Sequence, residues 1–186
     1  MMTRVAIVGG GPAGLSAALF TEKNGLDTVV FDTDETWLHK AHLFNYLGID
    51  SIDGEEFLEQ ARGQVDGFGV DRHQGEEVSR VERDKEGFLV VTGDDEYEAD
   101  YVVLATGADR DLAEHLGCDF TDDDVVDANL SMETSVENAY ATGAMVRNQE
   151  WEAVISAGDG GAAALDILSK EKGEHFHDFD TPEDAQ

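Results

Sequence analysis

A short apolar run, Val5-Ala6-Ile7-Val8, leads directly into Gly9-Gly10-Gly11-Pro12-Ala13-Gly14. The run is brief, β-branched and stopped by glycine, so it reads as a buried strand. Pro12 near a first turn and Gly25 just past an end frame a helix over residues 12–24. Thr28-Val29-Val30-Phe31 is a second buried strand, and it closes on Asp32. Strand, glycine turn, helix and strand in this order make a βαβ unit, which needs a parallel sheet. The expected fold class is therefore α/β.

The glycines at 9, 11 and 14 fit the pattern G-x-G-x-x-G, and Asp32 follows Gly14 by 18 residues, close to the ~20 that a dinucleotide site uses. Gly9 permits the tight turn. Gly11 lets the backbone approach a diphosphate. Gly14 lets helix and strand pack closely. Pro12 and Ala13 open the helix, whose N–H groups and positive dipole end face the phosphates. Asp32 is placed to accept from both hydroxyls of an adenosine ribose and to repel a 2′-phosphate. The spacing does not separate FAD from NAD.

Beyond this unit, residues 33–53 read as irregular and rich in aromatic and histidine side chains. A helix is expected from Glu55 to about Val65. An antiparallel meander is expected over 76–104, with turns at Asp84-Lys85-Glu86-Gly87 and Gly93-Asp94-Asp95 and Tyr101 to Ala105 as its last strand. Residues 109–135 are acidic and weakly patterned. A strand over Asn138–Thr142 and a helix from about Glu152 to Lys170 complete the chain. The stretch 173–186 reads as a polar, frayed tail.

Charge narrows the function. Twelve Lys and Arg against 42 Asp and Glu give a formal net charge of −30. Nucleic acid is an unsuitable partner, since its binders must neutralise phosphates. An anionic membrane surface is excluded on the same ground. The acids are spread through the whole chain, a pattern expected of a salt-loving microbe with a saline cytoplasm. One cysteine, Cys118, rules out an internal disulfide or CxxC pair. It reads as a buried thiol, because nearby acids disfavour the thiolate. No apolar stretch reaches the ~20 residues of a membrane span, and no secretion signal is legible at the start. The cytoplasm is the expected location.

GGGPAGLSAALF resembles the FAD-binding start of the two-domain flavoprotein disulfide reductases, thioredoxin reductase above all, within the pyridine nucleotide-disulfide oxidoreductase superfamily. Three further segments agree in order. Phe44-Asn45-Tyr46-Leu47-Gly48, then Gly54 to Leu58, is similar to the segment that passes the flavin into a helix. Leu104-Ala105-Thr106-Gly107-Ala108 resembles the strand-to-ATG turn that touches FAD. Met132 to Ser135, Tyr140 to Gly143 and Ala157 to Gly160 are similar to the C-terminal flavin segment. The resemblance implies a Rossmann-like FAD-binding domain over 1–172. Its N-terminal half would be 1–108, its linker 109–130 and its C-terminal half 131–172. The implied site comprises Gly9, Gly11, Pro12, Ala13, Gly14, Asp32, Asn45, Thr106, Gly107, Gly143, Ala144 and Ala153.

Against the family pattern, the nicotinamide-binding insert and its redox dithiol are absent between the two halves. Ala144 stands where the family has an Asp on the ribityl chain. Trp151 and Glu152 stand where it has an Arg-Gln pair. Trp151 is expected in the core, and Glu152 is expected to oppose a reduced, anionic flavin, with the helix end near Ala153 offsetting it. Gly158, Gly160 and Gly161 interrupt a helix, which implies close approach to a ligand or a strand. His39 and His42 read as surface histidines. Glu174, His175, His177 and Asp178 read as a solvated tail rather than a metal site. No catalytic base is identifiable. The resemblance implies an FAD oxidoreductase that takes electrons from diffusible NAD(P)H or from a redox protein, as a homodimer. The alternative is a module that holds FAD or NAD without turnover, and a plain NAD-binding domain is the third reading.

Overall fold

The computed structural model of the chain describes residues 2–85, 87–93, 95–181 and 183–184. Glu86 and Asp94, assigned to the two meander turns, lie outside the described residues, as do the last residues of the tail. Strand β1 (Arg4–Val8), helix α1 (Pro12–Lys23) and strand β2 (Asp27–Asp32) form the expected opening unit. A 3-10 turn (Trp37–Lys40) and a two-residue hairpin, β3 (His42–Leu43) with β4 (Ile52–Asp53), follow. Then come helix α2 (Gly54–Phe68), strand β5 (Asp71–Gln74) and strands β6 (Val78–Asp84), β7 (Gly87–Thr92) and β8 (Asp95–Ala99). Strand β9 (Tyr101–Leu104), helix α3 (Asp111–Leu116), strand β10 (Ala139–Ala141) and helix α4 (Ala153–Lys172) complete the order.

The main sheet runs β10-β9-β1-β2-β5, with every pairing parallel. Side chains alternate across a strand, and β1 shows the result. Val5 and Ile7 point into a core built with α1, α2 and α4. Ala6 and Val8 point into a second core with the β6-β7-β8 meander, Ala113 and Cys118. The parallel sheet is thus covered on both faces, which its polar backbone edges and β-branched strands require.

Two expectations change here. Tyr101–Leu104 is not the last strand of the meander. It lies between β1 and β10 in the parallel sheet. Asp71–Gln74, to which the sequence assigns no element, is the edge strand beside β2. The stretch after β9 is also more ordered than expected. It carries α3 and the isolated bridges Phe120 to Val126 and Ala128 to Thr134.

Helices α1 and α4 cross where side chains vanish. A Cβ on Gly160 would sit 2.0 Å from the Ala13 carbonyl oxygen, and one on Gly161 would meet the Phe20 ring at 3.4 Å. The close approach of Gly160 and Gly161 is to a neighbouring helix rather than to a strand, and nothing in the chain lies within 4 Å of a Cβ on Gly158. Further along α4, Asp166 accepts from the Tyr140 hydroxyl at 2.7 Å and Glu171 from that of Tyr101 at 2.8 Å. Burial, then the carboxylates, push both phenols up, so both stay protonated donors. The tail is held rather than frayed as far as Asp180: Phe176 packs on the core, and Lys23 Nζ lies 2.8 Å from Asp178 and pairs with Asp180.

Candidate functional site

The glycine turn sits between the ends of β1, β2 and β9. Gly9 has φ +115, and a Cβ there would lie 2.2 Å from the Ala105 carbonyl oxygen. Only glycine takes that backbone without strain. A Cβ on Gly14 would lie 1.8 Å from the Gly9 oxygen, so α1 presses directly onto the turn. Gly11 differs. Its φ is −81, and a Cβ there would meet only Thr36 Oγ1, at 3.5 Å. The space in front of its backbone belongs to a cleft.

That cleft has a volume of about 810 Å³. Of the sequence-derived site, Gly9, Gly11, Pro12, Ala13, Asp32, Asn45, Thr106, Gly107, Gly143, Ala144 and Ala153 all line it. Gly14 does not; it serves the packing of α1 on the turn. Four segments far apart in sequence therefore converge on one cavity. It lies at the carboxyl ends of β1, β2, β9 and β10, where open α/β sheets receive ligands.

At one end, Asp32 is 5% exposed and already engaged. One of its oxygens accepts from the Asp34 N–H at 3.0 Å. The other accepts from Arg62 at 3.2 Å and from Gln74 at 3.3 Å. Arg62 reaches in from α2 and also pairs with Asp34 at 2.6 Å. The Arg62 guanidinium holds the Asp34 carboxyl below the usual range, with His39 contributing. His39 is bracketed by Glu55 and Asp34, both at 2.8 Å, and Glu55 first, then Asp34, raises its pKa. His39 is thus part of a charge network rather than a free surface histidine. His42 stays half-exposed, its ring tilted against that of Phe44. Neither Arg62 nor Gln74 had a sequence signal, since nothing local marks a partner 30 or 42 residues away.

The middle of the cleft is braced by Arg110. Its guanidinium donates to the carbonyls of Ala108, Ala144, Met145 and Arg147 at 3.0–3.4 Å. Thr106 Oγ1 donates to the Asp109 carbonyl at 2.7 Å. The Thr106–Gly107 turn and the Gly143–Val146 turn are therefore stapled to each other. Arg110 itself lies at the start of the stretch 109–130 that the sequence marks as a weakly patterned linker.

At the far end, α4 begins at Ala153 with Glu152 in the capping position, making no side-chain cap. The Glu152 carboxylate instead accepts from Asn45 Nδ2 at 2.6 Å. Trp151 is 42% exposed and packs against Trp37, so it is not the core residue expected of it. Among the described residues no group of three metal-ligating side chains converges, and Asp178 is drawn to Lys23. Cys118 is buried, its thiol pushed up by burial. No helix among the described residues is long and apolar enough to cross a membrane.

Comparison with known proteins agrees with this geometry. The family described as pyridine nucleotide-disulphide oxidoreductase matches over residues 3–108 and again over 50–161. The thioredoxin reductase of Listeria monocytogenes is 33% identical over 109 residues, 57% of this chain and 34% of that protein. That of Rickettsia prowazekii is 34% identical over 112 residues, 58% of this chain and 36% of that protein. The aligned region thus spans about a third of these curated relatives. Thioredoxin reductases of this kind use FAD, with NADPH as reductant. Among solved structures, a thioredoxin reductase from Gloeobacter violaceus superposes with a TM-score of 0.85 at 19% identity, covering 97% of this chain and 100% of that chain. The atypical thioredoxin reductase of Desulfovibrio vulgaris gives 0.84 at 18%, covering 93% and 99%. These two likenesses concern the fold. The family match spans most of the sequence and both sides of the cleft, and the chain belongs to the pyridine nucleotide-disulphide oxidoreductase family.

Proposed function

We propose that the chain is the FAD-holding unit of a thioredoxin-reductase-like oxidoreductase and passes electrons through the bound flavin. One observation carries the reading: a single cleft gathers the glycine turn, Asp32, the Thr106–Gly107 turn, Gly143 and the start of α4. The residues fit the cofactor at its nucleotide end. The Gly11 backbone is open to the cleft, α1 presents its N-terminus there, and Asp32 is held with its carboxylate at the rim. Bound FAD supplies two-electron transfer through its ring system. The chain's own residues bind and orient: Gly11 to Ala13 the diphosphate, Asp32 the ribose, and Thr106, Gly107, Gly143 and Ala144 the middle of the cofactor. The N-terminus of α4 at Ala153 offers unpaired N–H groups and a positive dipole end at the far side of the cleft.

The electron donor is diffusible NAD(P)H or a redox protein, because the short link between β9 and β10 carries no second dinucleotide domain. A homodimer, a saline cytoplasm and an unidentified acceptor complete the proposal. The test is direct. Protein purified in molar KCl is expected to be yellow, or to become so with added FAD, and to bleach on addition of NADH or NADPH. Colour that NAD(P)H and dithionite-reduced ferredoxin both fail to bleach favours the rival reading, a holder of FAD without turnover, to which Ala144, Trp151 and Glu152 lend support. Protein that stays colourless with excess FAD sinks both.

Ala144 gives a second test. It lines the cleft in the position where the family resemblance expects an Asp. Ala144→Asp is expected to tighten FAD about fivefold, the effect of one added hydrogen bond of about 1 kcal/mol. A dissociation constant that does not move counts against the placement of the ribityl chain beside Gly143 and Ala144.

A further inference from the structure

The chain has two tryptophans, Trp37 and Trp151. Though far apart in sequence, they meet at the cleft with ring centroids 5.2 Å apart and planes tilted by 59°. Both line the cleft, and both remain substantially exposed, at 61% and 42%. Neither is loose. The Trp151 indole N–H donates to the Arg147 carbonyl at 3.1 Å, and the Arg147 guanidinium grips Asp159 of α4 at 2.6 and 3.2 Å. Trp37 opens a 3-10 turn whose Leu38 N–H donates to the Thr36 hydroxyl at 3.4 Å. A second bridge joins the same two walls, from Asn45 Nδ2 to Glu152 Oε2 at 2.6 Å.

Two contacts thus tie the segment 37–45 to the residues just before α4. An indole is a broad, rigid face, and that of Trp151 has its one donor satisfied, so such a ring loses little entropy on stacking with a planar heteroaromatic ring. Exposing two such faces at the mouth of a cavity has no packing rationale within this chain. We propose that Trp37 and Trp151, backed by the Asn45–Glu152 bridge, are ligand-binding residues that close the far end of the cleft and lie in contact with the ring system of bound FAD. This deepens the reading given above and rests on FAD being the ligand. It assigns Trp151 and Glu152 a binding role, where the sequence alone marks them as lost family residues.

The two chemistries of Trp and Phe separate contact from mere proximity. An indole touching an excited flavin donates an electron to it and quenches its emission; a phenyl ring does not. Wild-type protein in molar KCl is expected to hold FAD with weak flavin emission. Trp37→Phe/Trp151→Phe is expected to hold FAD at the same stoichiometry, measured by absorbance of the released cofactor, with emission several-fold brighter. Trp151→Ala is expected to speed FAD dissociation about tenfold. In nucleotide-free protein, either single Phe variant is expected to remove the exciton couplet of the indole pair from the circular dichroism spectrum, a readout that also reports folding. FAD bound in all variants with equal emission and equal dissociation rates overturns the clasp and leaves the FAD reading standing. Wild-type protein that binds no FAD overturns both.

Discussion

Gly11→Val is expected to abolish FAD binding while leaving the melting temperature close to that of the parent. The two effects separate because of where a side chain at this position would go. The Gly11 backbone has an ordinary φ of −81, and an added Cβ meets nothing nearer than Thr36 Oγ1 at 3.5 Å. The protein therefore tolerates the branched side chain, which projects into the space a diphosphate must enter. Losing two charge-assisted backbone hydrogen bonds, at about 1.5–3 kcal/mol each, weakens binding at least ~100-fold. Gly14→Val is the control with the opposite signature. Its Cβ would fall 1.8 Å from the Gly9 oxygen, a backbone atom that has no room to retreat. Overpacking of this kind costs up to about 3 kcal/mol or more, which lowers the melting temperature by about 10 °C. Titration with FAD and thermal melts on both variants check the pair. Wild-type FAD affinity in Gly11→Val would remove the phosphate-binding role of the turn.

Dialysis from molar KCl into dilute buffer is expected to unfold the protein outright. Among the described residues, eight of the Lys and Arg already sit in ion pairs, including Arg62 with Asp32, Arg72 with Asp66 and Arg147 with Asp159. Few cations remain to offset 42 carboxylates. One shallow depression sets Asp53, Glu55, Glu56, Glu59 and Asp66 against only Arg62 and Arg72. Screening must do the rest. Its range is about 3 Å in 1 M salt and about 30 Å at 0.01 M, which exceeds the ~16 Å radius of gyration of a chain this long. In dilute buffer nearly every acid repels every other, and the repulsion falls on a fold whose net stability is only of order 10 kcal/mol. Far-ultraviolet circular dichroism across the dialysis measures the outcome. A spectrum and melting curve that do not change would sink the assignment to a saline environment.

The opening unit was legible because glycine and proline punctuate it. Gly9 ends β1, Pro12 starts α1, Gly25 follows its end, and the apolar runs between them have no competing reading. Strand β9 was misplaced for a physical reason. Tyr101-Val102-Val103-Leu104 is a continuous apolar run, which announces burial on both faces but not the identity of its neighbours. All four residues are buried, as a strand inside a covered parallel sheet must be. Strand β5 was invisible for the opposite reason. Asp71-Arg72-His73-Gln74 has little intrinsic preference for a strand and owes its conformation to pairing with Val29–Asp32. At the site, residues carried by the turn motifs could be named one by one. Arg62, Gln74 and Arg110 could not, because a long-range hydrogen bond leaves no local pattern. The pairing of Trp37 with Trp151 is of the same kind.

The anchoring of Asp32 has a consequence for how a nucleotide arrives. Its carboxylate is fixed during folding by Arg62 from α2, Gln74 from β5 and the Asp34 amide. The rotamer freedom of that side chain is lost when the chain folds, not when the sugar docks. A ribose docking as proposed would meet acceptors already in place, and association would require no rearrangement at that rim.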